Sequence, residues 1–207
     1  TIRLVRGTAR FVDPHTLYVE GLEPGDEHTI TADNIIIATG SRPRSVDDIP
    51  VDGRAILTSD HLTRIQTFPG SVVIVGAGVI GCEFATILAN YGHTKVYVID
   101  RADRILPFED EDIARVVANN LIEKGVTIHQ GCSLEGIRVV EDHVEYTIKH
   151  RAGGLETIVV EKAIVSIGRV PNTRGLNLEA AGLKLTDRGH LEDDDTRTSV
   201  PHIYAVG

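Results

Sequence analysis

The chain contains no methionine and no tryptophan, has two cysteines in 207 residues, and carries only 4% aromatics. Each scarcity excludes something. Cys82 and Cys132 lie far apart, which makes neither a disulfide framework nor a zinc-binding spacing and suits a reducing compartment, the cytoplasm. The lack of Met even at position 1 reads as a piece excised from a longer chain, with simple Met removal as the alternative. No apolar run approaches the length of a transmembrane helix, and the opening Thr-Ile-Arg-Leu-Val-Arg has no signal-peptide character, so no membrane partner is expected. Basic residues are outnumbered: 21 Lys and Arg against 30 Asp and Glu leave a net charge of −9, which argues against nucleic-acid binding. The nine histidines form no H-x-x-x-H pair, and no metal site is expected.

What is present is an ordinary globular composition, 42% hydrophobic and 25% charged, organised around Ser71-Val-Val-Ile-Val-Gly-Ala-Gly-Val-Ile-Gly-Cys-Glu83. A short β-branched run, three glycines and an amphipathic segment are the strand, turn and helix start that hold a dinucleotide pyrophosphate. Gly76 permits the tight turn, Gly78 lets backbone approach the phosphates, and Gly81 lets the helix pack on the strand. The helix N-terminus offers free N–H groups and a positive dipole end to an anion. A single G-x-G-x-x-G is a weak signal. Asp100 strengthens it, because it follows a second strand about two dozen residues after Gly76, where a carboxylate meets the adenosine ribose.

Around this stretch the first forty residues read as β-strands, including a buried Ile35-Ile36-Ile37 that exits through Ala38-Thr39-Gly40-Ser41. Residues 42–53 read as a surface connection. Strand, helix, strand, helix, strand then alternate from Val72 to His129. The first helix runs to about Tyr91 with Ile80, Phe84, Ile87, Leu88 and Tyr91 on its inner face and Gly92 as its stop. The second starts near Asp110, with Ile113, Val116, Val117, Asn120 and Leu121 inward and an acidic first turn that suits its own dipole. Leu134–Glu141, His143–His150 and Leu155–Val160 form an antiparallel meander. An apolar strand, Ala163–Ile167, a small helix around Leu178–Ala181, and strands near 183–185 and 203–206 complete the chain. The fold class is α/β: a Rossmann-type parallel sheet (βαβαβ) with a three-stranded antiparallel meander, flanked by further β segments.

The ordered set Ala38-Thr-Gly-Ser-Arg-Pro43, Val75-Gly-Ala-Gly-Val-Ile-Gly-Cys-Glu83, Asp100-Arg-Ala-Asp-Arg-Ile-Leu-Pro107, Ile167-Gly-Arg-Val-Pro-Asn-Thr173 and Thr198-Ser-Val-Pro-His-Ile-Tyr-Ala-Val-Gly207 resembles the pyridine nucleotide–disulfide oxidoreductases. It is most similar to dihydrolipoamide dehydrogenases and soluble pyridine nucleotide transhydrogenases. The resemblance implies that residues 46–185 are an NAD-binding domain, and that 1–45 and 186–207 are parts of an incomplete FAD-binding domain. The family's first glycine fingerprint, its redox C-x-x-x-x-C and its dimerisation domain, with a His–Glu pair, are not in these residues.

Carried over residue by residue, the resemblance implies Gly76, Gly78, Val79, Ile80 and Gly81 on the pyrophosphate and Asp100 on the adenosine ribose. Leu134 falls near adenine, Gly168 at the nicotinamide end, and Glu83 beside the nicotinamide as the catalytic-site glutamate. Gly7, Thr39, Gly40 and Ser41 are the implied FAD remnants. The implied cofactors are NAD, with FAD in a full-length, homodimeric parent. The implied reaction is hydride transfer between nicotinamide and flavin, most like dihydrolipoamide dehydrogenase. The alternatives are a soluble transhydrogenase, or a nucleotide-binding module inactive as an isolated fragment.

Overall fold

In chain order the elements are β1 (Gly7–Asp13), β2 (Thr16–Gly21), β3 (Glu27–Thr31), β4 (Ile35–Ile37), β5 (Ser41–Pro43), β6 (Ile56–Thr58), β7 (Ser71–Val75), α1 (Val79–Asn90), β8 (Lys95–Ile99) and α2 (Glu111–Glu123). They continue with β9 (Thr127–His129), β10 (Cys132–Val140), β11 (His143–His150), β12 (Leu155–Val160), β13 (Lys162–Val165), β14 (Arg169–Pro171), β15 (Asp193–Asp194), β16 (Arg197–Thr198) and β17 (Ile203–Ala205). Single 3₁₀ turns cover Ser59–Arg64 and Leu178–Ala181. The structure, a computed structural model, describes residues 1–91, 93–187 and 189–207, with Arg64 and Asp193 by backbone alone. Gly92, read above as a helix stop, lies outside the described residues.

The chain divides into two compact units, residues 43–169 and residues 1–42 with 170–207. The first is built on a five-stranded parallel sheet in the order β6-β13-β7-β8-β9. Its middle strand shows why Val72-Val-Ile-Val75 is apolar without a break. Side chains alternate across a strand, so Val72 and Ile74 pack with Cys82, Ala85, Leu88 and Leu121 from the helices. Val73 and Val75 pack on the other face with Ile137, Val144, Tyr146 and Ile148 from the meander. A sheet covered on both faces leaves no position for a polar residue. The meander, β10-β11-β12, is antiparallel throughout, and the extended chain returns from it to β13 beside β7.

Each helix turns only part of its expected face inward: Phe84 and Leu88 on α1, and Val117 and Leu121 on α2, pack in the core beside smaller residues. On α1 the buried residues are Gly81, Cys82, Ala85 and Leu88, while Ile87 and Tyr91 are exposed. On α2 they are Ala114 and Leu121, and Ile113 and Val116 lie outside. Small side chains let a helix approach the sheet closely, and that approach decides the rotation against bulk hydrophobicity. Asp110 caps α2, its Oδ1 accepting from the N–H groups of Asp112 (2.9 Å) and Ile113 (3.2 Å).

In the other unit β1-β2-β3 form an antiparallel meander, and β15-β16-β17-β4 a second sheet in which β17 runs parallel to β4. Its core is Phe11, Ile35, Ile37, Leu178, Ala181, Leu183 and Ile203. Two sequence expectations change here. Ile36 is 66% exposed, so β4 is buried on one face and not on both. The expected strand at 183–185 is reduced to a single bridge, Leu185 to Leu191. Residues 170–185 also pack in this unit, where the sequence division ran to 185, because Leu178, Ala181 and Leu183 supply its core. Asn177 ties them down, its Nδ2 donating to the Phe11 carbonyl at 2.8 Å. No helix among the described residues is long and apolar enough to cross a membrane.

Candidate functional site

Strand order 6-13-7-8-9 reverses direction at β7: the chain moves one way to β8 and β9, and later the other way to β13. At such a switch point the loops leaving adjacent parallel strands diverge and open a crevice beyond the carboxyl ends. A groove of about 1090 Å³ lies there. Val75, Gly76, Gly78, Val79 and Ile80 line it from the first strand and helix, and Ile99 to Ala102 from the second. Ser166 to Arg169 follow β13, and Leu134 to Ile137 come from the meander.

The three glycines do different things. A Cβ on Gly81 would lie 2.0 Å from the Gly76 carbonyl oxygen, so this position is glycine because helix and turn touch backbone to backbone. Gly76 has φ +102, and a Cβ there would meet the Ser166 carbonyl oxygen at 2.6 Å. Gly78 has an unexceptional φ of −74, and a Cβ on it would have no atom within 4 Å. Nothing among the described residues requires glycine at 78. It caps α1 without a side chain, and the first-turn N–H groups that follow lack intrahelical acceptors.

Asp100 organises the turn. Its Oδ2 accepts from the Ala77 N–H at 2.6 Å and its Oδ1 from the Ala102 N–H at 2.8 Å. Each carboxylate oxygen retains acceptor capacity, and the residue lines the groove. Arg101 stands beside it on the same wall. Leu134 sits at an irregularity of the β10–β11 pairing between Leu134 and Gly136, which makes room for an extra residue, Glu135, at the groove. Gly168 is in the left-handed region, φ +104, with open space around it.

Thus Gly76, Gly78, Val79, Ile80, Asp100, Leu134 and Gly168 converge on one groove. Gly81 supports it from below. Glu83 is exposed on α1 and is not among the groove-lining residues. Cys82 is buried, its thiol pointing to the Ala77 carbonyl at 3.4 Å, and burial, with the nearby Asp100 charge, pushes its pKa up to about 11. Ser166 escaped the sequence reading. Its hydroxyl lies 3.1 Å from the Val75 carbonyl and 2.9 Å from that of Gly76, donating to one at a time and steadying the turn. A lone serine after an apolar strand carries no signal. Arg169, inside the Ile167–Thr173 motif, also lines the groove and pairs with Asp60 at 3.1 Å.

In the other unit Gly40, φ +67, follows β4, and Gly207, φ +107, follows β17. A Cβ on Gly207 would lie 3.7 Å from the Gly40 Cα, so two glycines close the carboxyl ends of adjacent parallel strands. The Asn172 Nδ2 donates to the Thr39 carbonyl at 3.1 Å, and the Gly40 carbonyl accepts from the Asn172 N–H at 2.9 Å, fixing the Thr39-Gly40-Ser41 exit. Gly7 has a packing reason instead: it pairs with Gly21, and a Cβ would meet the Glu20 carbonyl oxygen at 2.2 Å.

Comparison with known proteins gives a consistent result. The chain is 40% identical over 207 residues to a dihydrolipoyl dehydrogenase of Bacillus subtilis, covering all of this chain and 44% of that protein. It is 38% identical over 207 residues to a soluble pyridine nucleotide transhydrogenase of Mycobacterium bovis, covering 43% of it. Among solved structures, a HOCl-induced flavoprotein disulfide reductase of Escherichia coli, as its Cu(II) complex, matches with a TM-score of 0.81 and 31% identity over 97% of this chain and 44% of that one. LpdA of Mycobacterium tuberculosis matches with a TM-score of 0.81 and 32% identity over 100% of this chain and 43% of that one. The chain therefore spans less than half the length of these relatives. The family model described as pyridine nucleotide-disulphide oxidoreductase matches residues 1–207, and the chain belongs to that family.

Proposed function

We propose that residues 43–169 bind NAD(H) and serve, in a full-length flavoprotein, to hold the nicotinamide for hydride exchange with FAD. The observation that carries this reading is Gly78. Its neighbours Gly76 and Gly81 are required by the protein's own backbone, whereas Gly78 borders open space at an uncapped helix N-terminus. A site of that kind suits a pyrophosphate, which needs close backbone approach and N–H donors. The residues present fit the dinucleotide: Gly76, Gly78, Val79, Ile80 and Gly81 at the pyrophosphate, Asp100 at the adenosine ribose, Leu134 at the adenine and Gly168 toward the nicotinamide.

Asp100 favours NAD over NADP. Its free lone pairs accept from a ribose 2′-hydroxyl, and its charge repels a 2′-phosphate. Arg101 on the same wall moderates that preference. Glu83, exposed on α1 about one turn beyond the groove-lining Ile80, acts by position and charge from the helix flank at the nicotinamide end. Thr39, Gly40, Ser41 and Gly7 belong to the FAD side in this reading. When bound, the flavin supplies the redox chemistry. The parent activity most like it is that of dihydrolipoamide dehydrogenase. The second reading, a soluble pyridine nucleotide transhydrogenase, is favoured by the nearly equal identity to a relative of that name. The 207 residues alone are expected to bind nucleotide without turnover.

The test is NADH titration of the chain, followed by the fluorescence of the dihydronicotinamide. Gly78→Val is expected to weaken binding at least tenfold, about 1.4 kcal/mol, with the fold intact by circular dichroism. NADPH is expected to bind more weakly than NADH. Undiminished binding by Gly78→Val, or tighter NADPH binding, would overturn the corresponding assignment.

A further inference from the structure

On the meander side of the parallel sheet, three strands bring together residues that no sequence spacing connects. One donor atom from each of His129 (β9), His150 (β11) and Glu156 (β12) lies within 4.8 Å of those of the other two. His150 is central. Its Nε2 is 2.9 Å from Glu156 Oε2, and its Nδ1 is 3.3 Å from the Cys132 Sγ. The two imidazole rings are 6.0 Å apart between centroids and tilted by 58°.

A second, independent observation falls in the same place. Among the described residues, two buried side-chain polar atoms have no hydrogen-bond partner, the His129 Nε2 and the Tyr146 hydroxyl. Both rings flank Tyr97, His129 stacked on it with centroids 6.3 Å apart and Tyr146 edge-on at 6.5 Å. Buried polar atoms are almost always satisfied, so an unpartnered imidazole nitrogen beside a second imidazole and a carboxylate is a donor set that a bound ion would complete.

We propose that His129, His150 and Glu156 form a binding site for a borderline divalent transition-metal ion of the zinc type. Two imidazoles and one carboxylate are the donor set such ions take, with a further position open to water. Cys132, on the far nitrogen of the His150 ring, orients that ligand as an outer partner. A bound ion ties β9, the edge of the parallel sheet, to two strands of the meander. Because the ligands converge only in the folded chain, binding stabilises the fold by mass action.

The experiment is calorimetric titration of chelator-dialysed chain with Zn²⁺, alongside thermal melts with and without the ion. The expected result is one saturable site per chain and a raised melting temperature. His129→Ala, His150→Ala and Glu156→Gln are each expected to weaken binding at least about tenfold, since even an outer partner of a metal ligand costs that much. Glu156 is exposed, so Glu156→Gln keeps the fold and remains decisive if a histidine variant does not. Absence of saturable binding, or binding that Glu156→Gln leaves unchanged, overturns the proposal.

Discussion

The Asp100 carboxylate accepts a hydrogen bond from the Ala77 N–H at 2.6 Å, joining the end of β8 to the middle of the glycine turn after β7. Its second oxygen holds the Ala102 N–H at 2.8 Å. A residue chosen for its spacing as a ribose ligand is therefore also a fastener of the turn. Asp100→Asn places an amide NH₂ against one of two N–H donors. We expect a loss of about 1–3 kcal/mol in stability, measured by urea unfolding, together with weaker NADH binding. An isostable variant would show that the two bonds contribute nothing net.

The glycines separate stability from binding. Gly81→Ala forces a Cβ to within 2.0 Å of the Gly76 carbonyl oxygen. It is expected to cost at least about 2–3 kcal/mol through overpacking of rigid backbone. Gly78→Ala has free space and is expected to change stability by less than about 1 kcal/mol, the scale of an N-cap change. Thermal melts of the two variants, run side by side, check this ordering.

Cys82 sets an alkaline limit. Burial, helped by the Asp100 charge, raises its pKa to about 11 in the folded chain from an ordinary value of 9.0. The folded state thus disfavours the thiolate. This contribution is fully present below the unfolded value and is lost as pH rises through the window from 9.0 to about 11. Stability measured by denaturant unfolding should fall across that window, and fall less in Cys82→Ala. The thiol should also resist alkylation at pH 8 until the chain unfolds.

Asp110 bonds two first-turn N–H groups of α2. Asp110→Ala is expected to destabilise by about 1 kcal/mol and to leave NADH binding unchanged, because this helix start does not line the groove. A change in nucleotide affinity would reveal a connection between α2 and the groove.

Legible in the residues alone were the strand–helix alternation from Val72 to His129, the meander, the glycine turn and the acid at 100, whereas the short strands β5, β6, β14, β15 and β16 carry no local signal. The legible features are written in residues close along the chain: a continuous apolar run at Val72 to Val75, then glycines at 76, 78 and 81 before an amphipathic segment. What depends on distance is visible only in the folded chain. Packing rotated α1 and α2 so that Cys82, Ala85 and Ala114, not Ile87 or Ile113, meet the sheet, because close approach requires small side chains. It moved residues 170–185 into the unit whose core they fill. It distinguished Gly78, which meets nothing, from Gly81, which meets backbone. It also assembled His129, His150 and Glu156 from three strands where the histidine spacing signalled no site. Periodicity reports which way a side chain points along its own element, whereas the partner it meets is set by packing between elements.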